Sequence, residues 1–206
     1  MNKKKVIGYV GTRNIGKMRE EDIQKLDVIN IAFGHIRDNE VVWEEGVGKE
    51  AELERIRRIH PEIKIILSVG GWSADGFSQA AMTETSREKA AKSAVALVDK
   101  YRLDGIDIDW EYPCFALAGI AADRRDKENF TLFLEKLRQE LDTLGEGRML
   151  TIAAGGDSYF TQHTDMAQAQ RYLDYVQLMT YDLQGGFVKV TGHHASLYAG
   201  TSNLFD

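Results

Sequence analysis

Cysteine occurs once in this chain of 206 residues, at Cys114. No intrachain disulfide can form, and the count leaves the redox compartment open. Proline occurs twice, at Pro61 and Pro113, and no Pro/Ser-rich linker, repeat or low-complexity tract marks a domain boundary. No segment approaches the ~20 apolar residues that cross a bilayer. Lys3, Lys4 and Lys5 resemble a signal-peptide n-region, but the run Val6 to Val10 behind them is too short. No export signal is read, so the chain is cytoplasmic as it stands, or secreted if a leader was removed. Excess basic charge is also missing. The net charge is −6 and no Lys/Arg cluster interleaves with aromatics, which argues against nucleic acid and acidic membranes as partners. A neutral ligand fits better. Two phosphate-binding signatures are absent as well. Gly8-Tyr9-Val10-Gly11 is not the dinucleotide fingerprint, and Gly71 and Gly76 have P-loop spacing without the Lys-Ser/Thr that must follow.

What remains is a soluble globular composition, 43% apolar and 28% charged, which excludes fibrous and wholly disordered chains. A chain of this length should bury roughly 70% of its unfolded surface. Short runs rich in Val, Ile and aromatics lie at Val6–Val10, Val28–Phe33, Ile63–Val69, Leu103–Asp109, Met149–Ala154 and Tyr175–Tyr181, as buried parallel strands do. Helical patterns separate them over 49–59, 86–101 (with Ser86 as N-cap), 126–144 and a short stretch around 165–172. His60-Pro61 closes the first of these helices. The alternation is α/β and implies a parallel sheet with helices packed outside it, either an open doubly wound sheet or a (β/α) barrel.

The segment from Leu103 to Pro113 carries the chemistry. Side chains alternate across a strand, so Asp107, Asp109 and Glu111 share one face while Ile106, Ile108 and Trp110 share the other. Neighbouring carboxylates on that face sit about 7 Å apart, and two ionised ones would repel by about 2–3 kcal/mol at an effective dielectric near 20. A shared proton and at least one raised pKa are therefore expected, and a neutral carboxyl is what a general acid needs. Spacing alone leaves three readings open: catalysis, a divalent-metal site built from the three acids, and plain structure.

Asp104-Gly105-Ile106-Asp107-Ile108-Asp109-Trp110-Glu111-Tyr112-Pro113 resembles the DGxDxDWEYP signature of glycoside hydrolase family 18, the chitinases and their relatives. Ser68-Val69-Gly70-Gly71-Trp72 is similar to the family's third-strand segment, Leu150 to Ala154 to its fifth strand, and Gln177 to Asp182 to the MxYD motif of its sixth. Val6 to Tyr9 and Ile29 to Phe33 resemble strands one and two. The resemblance implies a TIM-type (β/α)8 barrel with its site at the C-terminal mouth, here incomplete with about six βα units. Residues 1–206 are then expected to form a single catalytic domain lacking strands seven and eight.

The resemblance also implies substrate-assisted, retaining hydrolysis of β-1,4 bonds in chitin or chitooligosaccharides, an exception to the two-carboxylate scheme. Glu111 would be the general acid, Asp109 would orient the acetamido group while sharing a proton with Asp107, and Tyr181 would donate to the acetamido oxygen. Tyr9 and Ser68 match residues that hydrogen-bond the inner Asp107. Trp72 matches a stacking platform on the leaving-group side, Met179 and Asp182 match sugar contacts, and Phe33 and Tyr112 line the site. No metal or cofactor is implied, and the partner is an N-acetylglucosamine oligomer or polymer. Competing readings are a chitin-binding lectin on the same barrel, although family lectins lose the catalytic Glu that Glu111 supplies here, and a hydrolase acting on N-glycan cores or peptidoglycan. Without strands seven and eight, strands one and six would present open edges. Self-association or marginal stability, with weak turnover, is expected.

Other residues carry weaker signals. Asp104, on the opposite parity from the acids, reads as a structural hydrogen-bonder. His193-His194 and Phe187 lie in the loop after the sixth strand, with cleft or structural roles. Asp38-Asn39 reads as a turn. Trp43 could touch substrate or cover a helix, and Cys114 reads as a bystander.

Overall fold

The computed structural model describes residues 4–184, 189 and 191–198; Phe187 lies outside the described residues. Among the described residues seven strands form, β1 Ile7–Gly11, β2 Val28–Arg37, β3 Glu40–Val42, β4 Lys64–Gly70, β5 Gly105–Asp109, β6 Met149–Gly155 and β7 Tyr175–Met179. Six of them pair in parallel in the order β1-β2-β4-β5-β6-β7, while β3 pairs antiparallel with β2 alone. This is the curved parallel sheet of an incomplete TIM-type barrel, and each of the six expected runs supplies one of its strands. The acidic strand β5 lies between β4 and β6, so it is an inner strand.

The turn expected at Asp38-Asn39 forms, and a further short strand follows it. Asp38 and Asn39 both adopt positive φ, the geometry of a tight hairpin turn, and β2 continues to Arg37 to pair with β3.

The helices are α1 Glu20–Ile23, α2 Glu50–Ile59, α3 Phe77–Met82, α4 Glu84–Lys100, α5 Asp126–Asp142, α6 Ser158–His163 and α7 Met166–Ala169. Ser86 is not the N-cap of α4. Thr83 caps it, its hydroxyl oxygen accepting from the Ser86 amide, and the Ser86 hydroxyl oxygen accepts from the Thr83 amide in a reciprocal capping box. The three short helices α1, α3 and α6 escape a periodicity reading because four to six residues span little more than one turn.

The two sheet faces bury different things. Outward side chains such as Ile29, Ile65, Leu67, Ile106, Ile108, Leu150 and Ile152 form one core with the helices, joined by Trp110, Phe77, Phe130 and Phe133. Trp110 stacks on Phe77 with ring centroids 5.3 Å apart and meets Phe130 edge-on. Inward, a separate apolar layer of Val28, Ile66 and Met149, flanked by Ile7 and Tyr175, fills the end of the barrel where the strands begin. Above it the interior turns polar. Trp43 belongs to the outer core: it is buried, donates its indole N–H to Thr12 Oγ1 at 2.9 Å and packs edge-on against Tyr101. Asp104 is a structural acceptor, taking the Ile65 amide at 2.9 Å and pairing with Lys64.

Candidate active site

Strand parity puts one inward residue from each barrel strand at the level of Asp107, and their polar ends converge on its carboxylate. Tyr9 from β1 and Ser68 from β4 donate hydroxyls to Oδ2 at 2.8 and 2.7 Å. Thr151 from β6 and Gln177 from β7 donate to Oδ1 at 2.7 and 3.0 Å. Asn30 from β2 donates to Gln177 Oε1 at 2.9 Å and holds that amide in place. Asp107 is fully buried. Burial pushes its pKa up, and the four donors pull it only part of the way back. Two donors meet each oxygen, and a proton on Asp107 is accommodated when one of the three hydroxyls turns to accept it. The cage thus offsets part of the cost of burying the charge. With both oxygens so engaged, Asp107 is not free to ligate a cation, and among the described residues no cluster of metal-ligating side chains assembles.

Two residues further along the same face is Asp109, at the C-terminal end of β5. Its side chain is 5% exposed and its Oδ1 is buried without a hydrogen-bond partner. No hydrogen bond joins Asp107 to Asp109 among the described residues. Burial, then the charges of Glu111 and Asp107, push the Asp109 pKa up to about 8. The approach of β4 at this point requires glycine. Gly70 has φ +126° and a Cβ there would overlap the Asp109 carbonyl, while the next amide, Gly71 N–H, donates to that same carbonyl at 2.9 Å. The SxGG segment thus fixes the backbone that carries Asp109.

The raised pKa has a sign for stability. Between the ordinary aspartate value near 4 and about 8 the folded state holds a proton that the unfolded chain has released, so stability falls as pH rises through this window and is level above it. Asp109→Asn, which mimics the neutral acid, is expected to match the parent at pH 4 and to be more stable at pH 9 by about 2–4 kcal/mol. Urea unfolding at the two pH values reads this directly, and equal stabilities at pH 9 contradict it.

Glu111 follows the strand end and is half-buried. Burial raises its pKa, the Tyr112 hydroxyl lowers it as a hydrogen-bond donor, and the charge of Asp182 raises it further. Tyr181 stands just beyond β7 at the mouth, 48% exposed, and feels Asp109, Glu111, Asp182 and Asp107 as neighbouring charges. Trp72, also 47% exposed, borders an open cleft of about 360 Å³ with His35, Arg37, Ser73 and Asp75. Phe33 lies against Gly71, whose missing side chain makes room for the ring. Met179 ends β7 opposite Gly155, and Asp182 follows with φ +57° and a largely exposed side chain.

The structure therefore brings Tyr9, Ser68, Asp107, Asp109, Glu111, Tyr112, Tyr181 and Asp182 into one electrostatically coupled group at the strand ends, with Trp72, Phe33 and Met179 around the mouth. Cys114 stands apart. Its thiol pKa is pushed up by burial, and its sulfur lies 3.7 Å from the Arg124 carbonyl. Three residues that sequence reasoning missed complete the group: Asn30, Thr151 and Gln177. A detectable signal existed, since each is the polar residue inside an otherwise apolar run and each has the inward parity. His194, expected to have a cleft or structural role, lies 3.3 Å from Asp182.

The comparison with known proteins places this arrangement. The family model for glycosyl hydrolases family 18 matches residues 5–205. Chitinase A1 of Niallia circulans is 38% identical over 75% of this chain and 23% of its own length. Chitinase B of Serratia marcescens is 31% identical over 95% of this chain and 46% of its own. The solved structure of a family 18 N-acetylglucosaminidase from Paenibacillus barengoltzii superposes with a TM-score of 0.94 at 51% identity, covering 98% of this chain and 61% of that one. The chain spans less than half the length of these two chitinases. It belongs to glycosyl hydrolase family 18.

Proposed function

We propose that this family 18 hydrolase cleaves β-1,4 bonds between N-acetylglucosamine units of chitin or chitooligosaccharides, with the substrate's own acetamido group as nucleophile. The observation that carries the reading is Asp109, a buried carboxyl with one unpartnered oxygen and a pKa of about 8, set between a caged carboxylate and Glu111. A neutral Asp109 can donate a hydrogen bond to the acetamido oxygen or accept one from the acetamido N–H; an ionised one could only accept.

In the first step Glu111 gives its proton to the glycosidic oxygen as the C1–O bond breaks. The acetamido oxygen of the same sugar forms a new bond to C1, yielding an oxazolinium ion and a free alcohol. Asp109 orients the acetamido group, and the Tyr181 hydroxyl donates to its carbonyl oxygen. Glu111, now a carboxylate, takes a proton from water, whose oxygen bonds to C1 and reopens the ring with retention of configuration. Burial, the charge of Glu111 and then that of the caged Asp107 keep the Asp109 pKa raised. Trp72 offers a flat face to a sugar on the leaving-group side, and Met179, Asp182, Tyr112 and Phe33 border the reacting sugar.

The presence of Glu111 beside Asp109 favours hydrolysis over the lectin reading. The proteins similar to this chain include two named chitinases and one described as an N-acetylglucosaminidase, so internal cleavage and release of single sugars are both within the reading. Incubating chitooligosaccharides of defined length with the protein in molar excess, so that even slow turnover is visible, tests it. Shorter N-acetylglucosamine products are expected, and their lengths report which bond is cut. Tight binding with no product from any oligomer supports the lectin instead.

The sheet ends carry a further part of the proposal. Among the described residues β1 pairs only with β2, and β7 only with β6, and open edges of this kind invite pairing with another chain. Size-exclusion chromatography over a dilution series is expected to show self-association. A dilution-resistant monomer rules it out.

A further inference from the structure

Past Met179 the chain leaves the sheet, yet Tyr181 must stay at the mouth. Asp182 takes a left-handed conformation, and no strand pairing holds residues 180–184 among those described. The contacts that do hold them converge on one residue of a later loop. The Leu183 amide donates to the His194 carbonyl at 3.1 Å. His194 Nδ1 lies 3.3 Å from Asp182 Oδ1. The His194 ring stacks on Tyr181, with centroids 6.2 Å apart and planes 22° from parallel. Two residues before it, Gly192 lies so close to the Gln184 side chain that a Cβ would collide with it.

We infer that His194 is a positioning residue, a clamp that fixes Tyr181 and Asp182 at the mouth through three consecutive contacts. The inference rests on the proposed role of Tyr181 and adds to it what keeps that hydroxyl in place. The clamp is not a stabilising device. The His194 and Asp182 side chains are 62% and 74% exposed, and a polar contact that open contributes little to folding. Its effect belongs in the geometry of the reacting group, where displacement by ~1 Å can cost ~100-fold in rate.

The test uses single-turnover rates and half-saturating concentrations on a chitooligosaccharide. His194→Ala is expected to lower the rate about tenfold, between the small worth of an exposed pair and the cost of a full misplacement, with melting temperature and half-saturation little changed. His194→Asn keeps a donor toward Asp182 and His194→Phe keeps the ring, so each should recover part of the loss. His193→Ala is expected to behave as the parent. In a Tyr181→Phe background, His194→Ala should add almost nothing. Amide exchange gives a readout that needs no turnover: the Leu183 N–H should exchange faster in His194→Ala.

Parent-like rates in His194→Ala overturn the inference. So does an equal loss with and without the Tyr181 hydroxyl, a change confined to half-saturation, or unaltered Leu183 exchange. If Tyr181→Phe itself keeps the full rate, the assigned role of Tyr181 falls, which is a different result from the failure of His194 alone.

Discussion

Glu111→Gln is expected to lower chitooligosaccharide cleavage by about 10²–10⁴-fold, the usual worth of a positioned general acid, while binding changes little. Gln keeps the shape of the neutral acid and can donate a hydrogen bond to the glycosidic oxygen, but it has no proton to give. Burial and the nearby Asp182 charge raise the Glu111 pKa against the pull of Tyr112, so the parent carries the proton over a wider pH range than an exposed glutamate would. Two measurements are needed together, single-turnover product formation and oligomer affinity by calorimetry. Equal turnover by parent and variant removes Glu111 from the chemistry. Loss of affinity in step with rate makes it a binding residue instead.

The second large effect falls on folding. Asp107→Ala is expected to destabilise the protein by about 4 kcal/mol or more, since it strips the acceptor from four buried or half-buried donors at once and each unmet donor costs roughly 1–3 kcal/mol. Tyr9, Ser68, Thr151 and Gln177 come from β1, β4, β6 and β7, so the loss is felt on four strands, of which only β6 and β7 pair with each other. Against a total stability of about 5–15 kcal/mol for a typical domain, that is a large fraction. Asp107→Asn keeps one oxygen and the shape, and the hydroxyl partners can rotate to accept from its amide, so it should cost clearly less. Urea unfolding of both variants measures the difference. An Asp107→Ala variant as stable as the parent contradicts the cage.

Much of this site can be read from strand parity. Asp107 and Asp109 share a face because residues two apart on a strand do, and Ile106 and Ile108 take the other face for the same reason; Glu111 and Trp110 follow just past the end of β5, Trp110 joining the outer core. The spacing could not show that β5 is an inner strand, which is decided by its register with β4 and β6. It also could not weigh the donors against the burial of Asp107, because those donors are spread from residue 9 to residue 177. Asn30, Thr151 and Gln177 were visible as polar residues in apolar runs, but their meaning depends on a common level inside the barrel that only the stagger of the strands sets. The turn at Asp38-Asn39 was legible from its residue types, whereas the strand that follows it is three residues long and has no periodicity to detect. His194 could be placed in the loop after the sixth strand with a cleft or structural role, but not paired with Tyr181 or Asp182. Its partners are eleven to thirteen residues away in sequence, across a loop.

The central claim is that the substrate brings its own nucleophile and that Asp109, Tyr181 and Glu111 serve it. Its most direct test compares one chitooligosaccharide with the same oligomer stripped of its acetyl groups, both at excess protein. The account predicts cleavage of the acetylated chain and a rate at least about 10³-fold lower on the free amine, which lacks the oxygen that an intramolecular attack requires. Comparable rates on the two oligomers would contradict it.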